Sequence, residues 1–266
     1  MALRLPAMTR LPALAAGIML LASPAAAQNA CKLATLGTGT VAAVRDGRSL
    51  LLGDGREVRL AGIEVTDGSR SALQQSIGDR PVRLEALSPA PDRYGRIVAF
   101  VFAGDAPQSV QQTMLEQGQA RVAARIGSKP CADRLLASER KARAENRGLW
   151  ADPNFAPLPP DNLARLRAER GRFTIIEGKV LSVRESGSTI YVNFGARWSR
   201  DFSVIILRRN QRIFNAAGIE PKRLEGRRIR VRGVLEARRG PVIEADVPEQ
   251  IEFADDAMTK AQGLRQ

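Results

Sequence analysis

The side chains best suited to chemistry in this 266-residue chain lie in two short stretches. "DGRSLLLGDGREVRLAGIEVTD", residues 46 to 67, carries Asp46, Arg48, Arg59, Glu64 and Asp67, and "DRYGR" adds Asp92, Tyr94 and Arg96. Arginine grips phosphate because its planar fork matches two oxygens and it stays protonated. Carboxylates take a proton from an attacking water or offer hard oxygen ligands to a cation. The chain has no histidine. That excludes Ser-His-Asp triads, Cys-His dyads, HExxH zinc sites and every imidazole base. Catalysis would have to run on carboxylates, arginines, lysines, tyrosines or a metal held by oxygen. Each residue also has a plainer reading. Arg59 alternates with Val58 and Leu60 as an exposed strand residue does, while Asp46, Asp67 and Tyr94 each stand beside a glycine, as turn or helix-start residues do.

The elements that would position these groups are short. "GTVAAVRD", "SLLLG", "EVRLAGI", "PVRLEAL" and "IVAFVF" read as five strands, broken by Gly, Asp and Pro. "SRSALQQSI" has helical spacing, "PQSVQQTMLEQG" ends a helix at Gly118, and "CADRLLASERKARAENRG" ends another at Gly148. Five short strands with few helices predict an α+β domain built on a small barrel, over residues 28–150. "ADPNFAPLPPDN", residues 151–162, has four prolines and no periodicity, and reads as a semi-rigid linker. Beyond it, residues 163–254 give three strands, a helix and two strands, the order of a second, OB-like barrel, before a tail at 255–266.

Residues 1–27 read as an export signal: Arg4 and Arg10 at the start, a short apolar core, and Ala25-Ala26-Ala27 for cleavage. The expectation is a soluble periplasmic or secreted protein beginning near Gln28. With 41 Lys and Arg against 28 Asp and Glu, the formal net charge is +13. Such a surplus favours polyanionic partners, although Arg-rich codon bias alone would produce it too. Cys31 and Cys131, the two cysteines, are enough for one disulfide in an oxidising compartment; two buried thiols are the alternative.

At "VRLAGIEVTD" and "DRYGRIVAF" the chain resembles the staphylococcal nuclease, or thermonuclease-like, family, from about Val41 to Trp150. The family pattern runs "DGDT", "RLxGIDxPE", "DRYGR" on a five-stranded OB-type barrel. The third block is intact, the second intermediate, the first changed. The resemblance implies that Arg59 and Arg96 clamp phosphate, that Asp67 stands where the family has its general-base glutamate, and that Tyr94 holds a neighbouring phosphate. It also implies calcium. Here, however, two of the ligand positions are Arg48 and Glu64. Glu64 can still ligate, Asp46 is a possible rescuing ligand, and Arg48 cannot ligate at all. Arg48 would instead place a guanidinium near the phosphate.

The second half is the more basic, and "RRIRVRG" alternates Arg228, Arg230 and Arg232 with Ile229 and Val231. On a strand this puts three guanidiniums on one face, a track for single-stranded nucleic acid or else a charged edge that discourages aggregation. Tyr191, Phe194, Trp198 and Phe202 are candidates for base stacking, but alternating aromatics in a strand are more often core. The sequence therefore predicts an exported nuclease cutting phosphodiester bonds of DNA or RNA. A catalytically inactive nuclease fold that binds nucleic acid or another polyanion is the alternative.

Overall fold

The computed structural model describes residues 30–254, so the export signal and the tail lie outside the described residues. The first half contains β1 (Ala34–Gly39), β2 (Val41–Asp46), β3 (Ser49–Leu52), β4 (Glu57–Leu60), β5 (Ile63–Val65), α1 (Ser69–Ile77), β6 (Val82–Ala86), β7 (Ile97–Ala103), α2 (Val110–Glu116), β8 (Ala120–Val122) and α3 (Lys129–Ala144). The second contains α4 (Leu163–Ala168), β9 (Phe173–Lys179), β10 (Ser182–Ser186), β11 (Thr189–Asn193), β12 (Ser203–Leu207), α5 (Gln211–Ala216), β13 (Arg228–Val234), β14 (Glu236–Ala237), β15 (Pro241–Glu244) and β16 (Ile251–Phe253). The chain is thus α+β, mostly strands with few helices. No helix among the described residues is long and apolar enough to cross a membrane.

Alternation in the first half folds six strands into one mixed sheet, ordered β1-β6-β7-β4-β3-β2, with β5 and β8 as a separate pair. Leu50, Leu52, Val58, Leu60, Leu84 and Val101 point to one core, closed by Leu73 and Ile77 of α1 and Met114 and Leu115 of α2. Burying each such side chain contributes ~1.5–3 kcal/mol. "EVRLAGI" is two strands rather than one, because Gly62 takes φ +73° and turns the chain between β4 and β5. The bend sends Glu64 to a partner strand of its own. Helix α2 starts with a reciprocal capping box between Ser109 and Gln112. Helix α3 ends at Ala144, earlier than Gly148. Gly148 serves another purpose: Leu149 N–H donates to Gly118 O at 2.8 Å, and a Cβ on either glycine would collide with the other backbone. The Cys31 and Cys131 sulfurs are bonded, tying the start of the described chain to α3.

Strands of the second half fall into two sheets, β10-β11-β12-β15-β14 and β16-β13-β9, around a core of their own. The pairings echo the first half. There β4 and β7 run parallel and β1 and β6 antiparallel; here β12 and β15 run parallel and β9 and β13 antiparallel.

Residues 151–162 do not behave as a linker. Leu158 is buried in the second core, its N–H donates to Ile175 O at 2.8 Å, and Glu177 N–H donates to its carbonyl at 2.9 Å. Prolines stiffen this strap, but one leucine and two backbone bonds fasten it along β9. A small third core, Ala142 and Trp150 against Phe173 and Ile175, joins the halves directly.

The row of arginines on β13 is also not an open phosphate track. Arg228, Arg230 and Arg232 do share a face, but that face meets carboxylates. Glu177, opposite Arg230 on β9, pairs with Arg228 and Arg230. Arg232 is fully buried, bonded to Glu139 of α3 at 3.0 and 3.1 Å and to Glu252 of β16 at 3.3 Å. Arg143 completes the cluster, 2.6 Å from Glu139 and 2.9 Å from Glu252. A buried guanidinium needs compensating anions, and these come from elements distant in sequence. Arg232 therefore fastens the second half to the first.

Candidate active site

The β2–β3 turn places the first charged group. Asp46 accepts the Arg48 N–H at 2.8 Å, an Asx turn that fixes both residues. Gly47 between them lies against α1, where a Cβ would come within 2.8 Å of Ser69 Cβ. Any larger residue would push the turn off the helix. The Arg48 carbonyl accepts the Leu60 N–H at 2.8 Å, which sets Arg48 beside the end of β4 and its Arg59.

"DRYGR" folds as a tight turn ahead of β7. Asp92 accepts the backbone N–H groups of Tyr94 and Arg96 through Oδ1 and the Arg96 Nε and Nη2 through Oδ2, at 2.9 and 2.7 Å. Arg96 holds the Asp92 carboxyl down to about 2, helped by those backbone donors, and Asp92 in turn raises the Arg96 guanidinium. Tyr94 is 66% exposed, with the Arg93 and Arg96 guanidiniums each 5.0 Å from its ring centre. The turn is a prebuilt mount for one arginine and one aromatic ring.

Arg59 stands between these two turns. Its guanidinium has no hydrogen bond or ion pair among the described residues. Burial lowers its proton affinity, and the charges of Arg48 and Arg96 lower it further against the opposite pull of Glu64 and Asp46. Three guanidiniums and two carboxylates thus converge, with a surplus of positive charge at the one arginine that has no partner. Such a site stabilises an added anion.

Glu64 reaches the cluster through β5, opposite Arg121 on β8, and accepts Arg48 Nη1 at 2.7 Å. Asp67 does not join it. That carboxylate is exposed in the turn before α1, makes no hydrogen bond or ion pair among the described residues, and does not cap the helix, whose N-cap is Gly68. Calcium requires six to eight oxygen ligands. Here a guanidinium lies on the carboxylate that would supply one, and no group of three or more acidic, Cys or His side chains among the described residues could hold a metal. The residues do not fit calcium.

Residues 61–152 match the family model described as Staphylococcal nuclease homologue. This match and the relative below support a staphylococcal nuclease-like family for this part of the chain. A Shigella flexneri protein named "Micrococcal nuclease" is 32% identical over 109 residues, covering 36% of this chain and 62% of that protein. The chain therefore spans less than two thirds of the length of that curated relative. The family match begins just after the segment that carries Arg48 and Arg59. It includes Glu64, Asp67 and the whole Arg96 turn. Sequence reasoning about this nuclease-like domain missed Arg121, whose guanidinium is largely buried and stacks 4.9 Å from Phe173 and 5.4 Å from Phe155. The alternation of "ARV" with Glu64's strand was the available signal.

Proposed function

We propose that this protein is an exported, nuclease-like phosphodiesterase whose site binds the phosphates of DNA or RNA with Arg48, Arg59 and Arg96, without a resident calcium ion. The observation that carries this reading is the Arg59 guanidinium, unpartnered among the described residues and repelled by Arg48 and by Arg96, the last of which lies inside the family match. Arginine neutralises the charge gathered by a five-coordinate phosphorus. Asp92 holds Arg96 in place for that task, and Tyr94 offers a ring beside it. Glu64, freed from Arg48 when phosphate draws that guanidinium away, is a carboxylate of the cluster able to take a proton from water, while Asp67 would have to swing in from solvent. Arg48 cannot acidify a water as a bound cation does, so turnover is expected to be slow. The second half, which we read as OB-like, is a fixed companion to this domain. Export to the periplasm or beyond agrees with the leader and with the Cys31–Cys131 bond.

A second reading has its own support. The Arg48–Glu64 pair and the unheld Asp67 suit a domain that grips phosphate without cutting it. Hydrolysis of single-stranded DNA by the mature protein, with calcium and with chelator, separates the two. Chelator-resistant cleavage that disappears in Arg96→Ala supports the arginine-based enzyme. Cleavage lost in chelator would overturn the metal-free site, and binding without cleavage in either condition would leave the phosphate grip.

A further inference from the structure

The second half carries an exposed aromatic and basic group away from the arginine cluster just described. Trp198 is 59% exposed, the larger of the two exposed aromatic side chains in the described structure. It lies in the turn between β11 and β12, and the neighbouring aromatics behave differently. Phe202 is fully buried and Phe194 packs on it at 5.1 Å between ring centres. The turn is rigidly built. Asp201 accepts the Arg197 N–H at 2.9 Å, while the Arg197 carbonyl accepts both the Arg200 and Asp201 N–H groups at 2.8 Å. At Gly195 a Cβ would collide with Asp201, and at Gly240 it would come within 3.1 Å of the Asp201 carbonyl, so the β14–β15 hairpin lies directly against the turn.

That hairpin supplies Arg239, whose guanidinium stacks 4.9 Å from the Trp198 ring centre. Neither the Arg197 nor the Arg239 guanidinium forms an ion pair among the described residues, although the Asp201 carboxylate accepts the Arg197 backbone N–H; Arg238 beside them is neutralised by Glu236 and Glu244. A guanidinium stacked on an indole keeps its N–H edge free for an anion. Leaving an indole in water forfeits its burial, and tryptophan is enriched at contact surfaces.

We infer that Trp198, Arg197 and Arg239 form a second nucleic-acid contact, taking an unpaired base on the indole and its flanking phosphates on the two guanidiniums. A single strand fits because its bases are free to leave their own stack, and stacking on an aromatic tolerates any base. The inference rests on the nucleic-acid reading above and adds a contact in the second half of the chain.

The chain has two tryptophans; Trp150 is buried, so the red-shifted, solvent-exposed part of the emission reports on Trp198. Titration of the mature protein with oligothymidylate should quench the exposed emission. Trp198→Ala should remove the quench and weaken binding by about tenfold to a hundredfold, the usual worth of one stacked base. Arg239→Ala should lower the salt slope of binding by about one. Binding that leaves the emission unmoved and is unchanged in Trp198→Ala would overturn the inference while leaving the Arg59 site standing. Quenching by base-free polyphosphate equal to that by oligothymidylate would overturn the stacking and leave a polyanion patch. Absence of any oligonucleotide binding would remove both this inference and the proposed function.

Discussion

Replacing Glu139 by glutamine tests whether the two halves form one unit. Glu139, on α3, and Arg232, on β13, are both fully buried, and their two hydrogen bonds of 3.0 and 3.1 Å cross between the separate cores. Glutamine keeps the shape and removes the charge, leaving Arg232 with Glu252, 3.3 Å away, as its remaining anion. Breaking a buried pair from one side costs ~3–5 kcal/mol, which for a chain of this size is a fall in melting temperature of about 6–20 °C. Both cores should still melt in one transition, followed by circular dichroism and Trp150 emission. The double variant Glu139→Leu with Arg232→Met should recover most of the loss, because no buried charge is then left alone. The pH dependence has a definite sign. Burial pushes the Glu139 carboxyl up, but Arg232, Arg143 and the Val122 N–H outweigh it, so the folded value lies below 4.5. Its stabilisation is complete above that ordinary value and is lost as pH falls through the lower one. The gap between wild type and variant should therefore be full at neutral pH and narrow under acid. A loss below about 1 kcal/mol, the scale of an exposed pair, or two separate transitions, would refute the argument.

Arg48→Asp would place a carboxylate beside Asp46 and Glu64. Calcium should then raise the variant's stability by ~2.7 kcal/mol at a hundred times its Kd, while leaving wild type unmoved in the same thermal assay. Reducing the Cys31–Cys131 bond opens a loop with a sequence separation of 100 residues; urea titration should show a loss of ~3–5 kcal/mol. The Asp92 carboxyl should titrate at about 2 rather than 3.8 by NMR, so its hold on Arg96 persists until pH falls through that range. In Asp92→Asn, phosphate-induced stabilisation should weaken at neutral pH, where the wild-type clamp is intact.

How far the sequence could be read depended on whether a residue's partners were nearby in the chain. "DRYGR" was legible as a unit because Asp92, Tyr94 and Arg96 bond within one turn. The β13 arginines were placed on the correct shared face by alternation, yet that face was misassigned to solvent. Glu177 and Glu139 lie 51 and 93 residues from Arg228 and Arg232, and no local pattern announces them. The strap failed similarly: four prolines signal stiffness, but what Leu158 packs on depends on β9. Trp198 was grouped with Tyr191, Phe194 and Phe202 as a strand pattern, and the turn that lifts it out is made by Gly195 and Asp201. Arg48 was the plainest departure from the family motif, and its bond to Glu64 accounts for the misfit to calcium.

The three site arginines differ in what they contribute to the fold, which separates stability from function. Arg96 is chelated by Asp92 and Arg48 is bonded to Glu64, so truncating either removes a folded-state contact. Arg59 has no such contact and bears the repulsion of the other two. Arg59→Met keeps the buried stem and removes a charge held there against its neighbours. It should raise stability by about 0.5–1 kcal/mol, as relief of strain at a functional site commonly does. The same variant should lose the stabilisation that wild type gains from a nucleoside bisphosphate, since the one guanidinium free to take the anion is gone. Thermal melts with and without that ligand check both halves of the expectation. Were Arg59→Met to melt below wild type, the guanidinium would be serving the fold; were it to keep the ligand response, phosphate would be held elsewhere.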